Sequence, residues 1–164
     1  MPERRVAVIT PDRGLAGRVV AHLLRWGIAA DDTAGRPLPQ TTAGRLLLQL
    51  AEVAAQAAAP VALLALLQHP WVRAGEGRAA WLEQTRALDL ALRGPRPAPG
   101  LAPLQAAVDK LAQRGDADSV RAWWADVEAV LMPLLDWGDG LSLGAALDRL
   151  AGAGEALCGP ALWG

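Results

Sequence analysis

The chain has 164 residues, enough for one ordinary domain that buries about two-thirds of the surface its unfolded form exposes. Sixteen Lys and Arg stand against seventeen Asp and Glu, so no global field draws in nucleic acid, an anionic membrane or an acidic substrate, and any nucleic-acid role must be local. Cys158 is the single cysteine, which excludes an intrachain disulfide and any zinc or iron-sulfur site assembled from cysteines.

Residues 4–10 read as a strand, because Val6, Ala7, Val8 and Ile9 form a short continuous apolar run of the kind buried on both faces of a parallel sheet. Pro11 stops it. Asp12 is a natural N-cap, and Leu15, Val19 and Leu23 with Ala16, Val20 and Leu24 recur at helical spacing as far as Trp26, with Gly27 as the C-terminal cap. Ile28 to Asp32 suggests a second short strand, so the opening reads as one βαβ unit. One such unit is not a whole sheet: the other strands belong to a longer parent protein, or the unit packs on helices downstream. Too few apolar residues precede Asp12 for a signal peptide, so a cytoplasmic protein is expected.

Thr33 to Gln40 is loop, punctuated by Gly35, Pro37 and Pro39. Thr41 or Thr42 then caps a helix whose apolar face is Leu46, Leu47, Leu50, Val53 and Ala54. The uncharged stretch from Val53 to Val72 has the length of a membrane span, yet it contains Gln56, Pro60, Gln68, His69 and Pro70. Two buried helices broken at Pro60 explain it better, the second carrying Val61, Leu63, Leu64, Leu66 and Leu67 in the centre of the fold. Glu76 to Arg93 is amphipathic, with Trp81, Thr85, Leu88 and Leu92 on one face. Gly94 to Gly100 is a proline-rich hinge, followed by a helix from Leu101 to Arg114. Asp116 or Asp118 starts the next helix, carrying Val120, Trp124, Val127 and Leu131, which Pro133 should kink or split. Ser142 caps a last helix through Leu150, after which Gly152, Gly154 and Gly159 loosen the chain.

The chain carries no Walker-type glycine loop, nucleophile elbow, His-Glu-x-x-His motif or paired-cysteine site. His22 in the first helix and His69 before a proline read as structural. Asp31 and Asp32 are adjacent acids that a strand would point to opposite faces, so a solvated turn suits them better than a magnesium site. The turn Thr10 to Gly14 occupies the place where an α/β fold binds phosphate, although every βα turn looks like this and Asp12 would repel the ligand. The seven tryptophans can stack bases, but with no Phe or Tyr present they are also needed to fill the core.

The run Val-Ala-Val-Ile-Thr-Pro-Asp-Arg-Gly-Leu-Ala-Gly-Arg-Val-Val from Val6, then Arg25-Trp26-Gly27-Ile28 and Asp31-Asp32-Thr33-Ala34-Gly35-Arg36-Pro37-Leu38, resembles the B subunit of the AddAB helicase-nuclease in its alphaproteobacterial form. Ala59-Pro60-Val61 through His69-Pro70, Leu92 to Pro97, and Trp137-Gly138-Asp139-Gly140 through Trp163 also look like that family. The resemblance spans the chain but only an internal part of a family member. It implies a subunit that joins a helicase partner, AddA, at broken duplex ends and resects DNA for recombination. It also implies the start of a second motor domain of superfamily 1 helicase type followed by a helical insertion. In active relatives an arginine after this strand reaches the nucleotide; here Thr10 falls at or beside that place, with Arg13 a turn away. ATP, magnesium and the iron-sulfur cluster would belong to the parent complex, outside this stretch.

The expected architecture is therefore α+β and mainly helical: a partial α/β unit over residues 1–40, then a helical domain over 41–164. No catalytic, cofactor or metal residue is expected. Arg13, Arg18, Arg36 and Arg45 cluster around the opening unit and are the candidate DNA phosphate contacts, in a module that guides DNA and packs subunits. A freestanding helical adaptor that binds a partner protein through a leucine-rich groove, and a small nucleotide-using enzyme on the opening unit, are the other readings.

Overall fold

The computed structural model describes residues 6–95, 97–138 and 140–162, with the backbone alone at 160 and 161. Two compact units divide at Pro37 and Leu38.

The first unit holds one helix, α1 (Arg13–Arg25). Asp12 caps it as the sequence leads one to expect: its Oδ1 accepts from the amides of Gly14 and Leu15 at 2.8 and 3.1 Å. The expected βαβ unit is not formed. Neither 6–10 nor 28–32 is a strand, and among the described residues every regular element is helical. Val6, Val8 and Ile9 are 85, 64 and 95 % exposed. An apolar run becomes a strand only where a neighbouring strand satisfies its amides and a packed surface takes its side chains, and these two runs do not pair. The start of a helicase-type motor domain thus has no sheet to rest on. Arg4 and Arg5, where the expected strand begins, lie outside the described residues.

The second unit is a helical bundle. A 3-10 turn at Leu38–Gln40 leads into α2 (Thr42–Ala55), then α3 (Pro60–Leu67), α4 (Arg78–Ala91), α5 (Leu101–Ala112), α6 (Ala117–Leu135) and α7 (Leu143–Cys158). Each helix packs on the next in sequence, and α7 returns to α2, closing the ring. Thr41, Asp116 and Ser142 cap α2, α6 and α7 through their side-chain oxygens. Pro60 opens α3 at a position where its missing N–H costs nothing.

Two local expectations change. Pro133 neither splits nor ends α6, which continues to Leu135; it stands in the last turn, where loss of one amide interrupts little. Likewise α7 runs through Gly152 and Gly154, which sequence reading treated as loosening. Gly154 is buried, and a Cβ there would lie 3.2 Å from Leu162 Cδ2 and 3.5 Å from Leu50 Cδ1, so the glycine serves close packing.

The buried apolar cluster lies wholly between Leu46 and Cys158 and includes Leu63, Leu66, Leu88, Leu104, Leu131 and Leu134. Tryptophan takes the place of the missing Phe and Tyr. Trp81, Trp123 and Trp124 are 6, 7 and 3 % exposed, with the first two rings 5.7 Å apart and crossed at 67°. The Trp81 Nε1 donates to Leu67 O at 3.0 Å, and the Trp124 Nε1 to Gln105 Oε1 at 2.6 Å. The uncharged stretch forms the end of α2 and all of α3, and no helix among the described residues is long and apolar enough to cross a membrane.

Candidate functional site

The four arginines named from sequence fall in different settings. Arg13 is held within the first unit: its guanidinium reaches Asp32 Oδ1 and Oδ2 at 3.2 and 3.3 Å and the Gly35 carbonyl at 3.1 Å. The backbone amide of Ala34 and then Arg13 draw the Asp32 carboxyl below its ordinary value. Arg18 is exposed on α1, Arg36 is exposed in the turn after it, and Arg45 is exposed on α2, in the second unit.

The turn Thr10 to Gly14 is not a vacant phosphate cradle. Thr10 Oγ1 accepts from the Asp12 amide at 3.1 Å, and Asp12 itself occupies the first amides of α1. A carboxylate already sits where the anion would go. Asp31 and Asp32 do not act together as a pair of ligands: Asp32 closes its turn on Ala34 and Arg13, while Asp31 is exposed. Among the described residues, no three His, Cys, Asp or Glu gather to hold a metal ion.

Two concavities stand out among the described residues of the second unit. The larger, of about 310 Å³, runs between α2 and α7. Leu46, Leu47 and Leu50 form one wall, Leu147, Leu150 and Ala151 the other, and Leu38 and Leu162 reach in from the flanking turns. Gly44 lets the 3-10 turn approach: a Cβ there would lie 1.9 Å from the Leu38 carbonyl oxygen. None of the lining residues is ionisable, and the rim is open, with Leu38, Leu47 and Leu147 exposed by 60, 37 and 48 %. Sequence reading named a leucine-rich groove only within the adaptor reading and did not place its walls. Its one signal was a glycine inside a leucine-rich helix, which often marks close backbone approach.

The smaller cleft, of about 250 Å³, is lined by Arg73, Glu76, Trp81, Gln84, Ser119, Trp123 and Asp126. The Arg73 guanidinium lies 5.3 Å from the Trp81 ring centroid and 3.2 Å from Asp126 Oδ2. Gln84 donates to Ser119 Oγ at 3.2 Å. The cleft's own cation thus already occupies its aromatic floor, and the arrangement ties α4 to α6. Neighbouring Arg78 donates to the carbonyls of His69 and Val72, sealing the turn after α3.

Among the described residues these features define a helical bundle whose larger concavity is apolar, and a separate small unit that carries a basic helix. Comparison with protein-family models, curated proteins and solved structures found no match to this chain.

Proposed function

We propose that the chain is a non-catalytic helical module of an AddB-type helicase-nuclease subunit, serving DNA-end resection by packing subunits together and guiding DNA. The family resemblance supplies the context. The observation that carries the packing role is the α2–α7 groove, with its leucine walls and exposed leucine rim. A surface of this kind gains free energy by covering apolar area and has no group with which to move a proton. Its natural occupant is the leucine-bearing face of a helix from the AddA-type helicase subunit.

Co-expression with the AddA-type subunit of the same genome tests this. The native chain should retain that subunit through purification. Leu47→Asp with Leu147→Asp should weaken the complex by about tenfold or more, since each charge would lose its water on docking, while the far-ultraviolet circular dichroism stays unchanged. A complex indifferent to both substitutions, or none at all, rejects the packing role. The second reading, a freestanding adaptor, is favoured by one observation: the bundle has a complete apolar cluster of its own. It predicts retention of a protein other than an AddA-type subunit, abolished by the same pair of substitutions.

A further inference from the structure

Helix α1 carries Arg13, Arg18, His22 and Arg25 and not one acidic residue. Arg13 is engaged by Asp32. The other three stand at spacings of four and three residues, which places them along one side of the helix over about 10 Å of its axis. All three are exposed. Trp26 follows at the C-cap with 74 % of its surface open. The opposite side, Ala16, Val19, Val20 and Leu23, is half-buried.

We propose that this side of α1 binds single-stranded DNA, with phosphates on Arg18, His22 and Arg25 and a base stacked on the Trp26 indole. The choice of DNA rests on the reading given above; the geometry of the site does not. A cationic stripe without interspersed acids is complementary to a polyanion, and its length matches about three phosphates at the spacing of a DNA strand. An exposed indole at its end supplies the aromatic platform that single strands use and duplexes hide. Two acids of this unit are already engaged away from the stripe, Asp12 at the N-cap by Gly14 and Leu15 and Asp32 by Arg13 and Ala34, while Asp31 is exposed in the segment after the helix and not on α1. An anionic lipid surface would instead take the apolar side of the helix, which is half-buried. Arg25, in the last turn, also suits the negative end of the helix dipole. Arg18 stands outside the last turn and has no such use.

The test is fluorescence anisotropy of the whole chain with a fluorescein-labelled oligo-dT in low salt. Saturable binding is expected, with log K falling against log salt at a slope of about −1.4 to −2.1 for two or three phosphates. Arg18→Gln with Arg25→Gln should weaken it by about tenfold or more and flatten the slope by about 1.4. Trp26→Ala should weaken it about fivefold or more with the slope unchanged, and Trp26→Phe should recover most of the loss. Circular dichroism and thermal midpoint should match the native chain in every variant. No binding in low salt, native-like binding by the Arg18/Arg25 pair, or tighter binding to phosphatidylglycerol vesicles than to oligo-dT overturns the proposal. Leu47→Asp with Leu147→Asp should leave oligo-dT binding intact, so failure of the groove and failure of α1 give different results.

Discussion

His69 stands just past the end of α3, 4 % exposed, with Nδ1 accepting from the Trp71 amide at 3.3 Å and Nε2 buried without a hydrogen-bond partner. With Nδ1 an acceptor, the ring's hydrogen is assigned to Nε2 and the imidazole is neutral. Burial pushes its pKa below the ordinary 6.5; the Thr42 backbone opposes this, and the charges of Arg78 and Arg45 add to the lowering. The folded chain therefore takes up a proton at His69 less readily than the unfolded chain does. That stabilising contribution is present in full above pH 6.5 and is lost as pH falls from there through the lowered folded-state value. Urea unfolding at a series of pH values should show the native chain losing stability over this window. His69→Leu should flatten the curve there, and a native curve already flat below 6.5 would mean that solvent reaches the ring. Sequence alone placed His69 as a structural residue before a proline. Its neutrality depends first on burial, and then on the charges of Arg78 and Arg45, and only the fold supplies that burial.

Between elements, the close contact that shapes the groove is the approach of Leu38 to α2. Gly44 is buried, and a methyl group there would overlap the Leu38 carbonyl oxygen and carbon, which are backbone and cannot swing aside. Gly44→Ala should therefore lower stability by about 1–3 kcal/mol, read as a drop in urea midpoint, although alanine is the better helix former by about 1 kcal/mol. An unchanged or higher midpoint would show that the 3-10 turn yields freely. The helix starts were legible because their signals are local: Asp12, Thr41 and Ser142 are polar caps followed by helical periodicity. The reversal between α2 and α3 was not. It uses Ala57 and Ala58 in the left-handed region, at φ 48° and 53°, where no glycine or asparagine announces it. The strands failed for the opposite reason. Val6 to Ile9 have strand-like composition, but a strand is a pairing, and composition does not supply the partner.

Over the whole molecule, the periodicity of the second unit was enough to read a helical domain, since Leu and Val at helical spacing recur from Leu46 to Leu150. The place of the leucine-rich groove was not legible, because its walls come from α2 and α7, about a hundred residues apart, and nothing in either helix states that they meet. The basic stripe on α1 was half legible: Arg18 was singled out, while His22 read as structural and Arg25 served only as family text. The distribution of buried side chains carries one more consequence. Every member of the apolar cluster lies between Leu46 and Cys158, and the partly buried residues packed against it, from Ala51 to Leu162, also belong to the second unit. The free energy that holds the bundle is burial of this cluster, and among the described residues none of its members comes from 6–37. Residues 38–164 produced alone should accordingly fold cooperatively, with a thermal midpoint within about 4 °C of the full chain, the shift expected for at most about 1 kcal/mol in a domain of this size. Residues 1–37 alone should be mostly unfolded, because a single 13-residue helix with no buried side chain is marginal in water. A fall of the 38–164 midpoint well beyond that range would show that the first unit contributes to the bundle's stability through contacts outside the apolar cluster, and the two could no longer be treated as energetically separate.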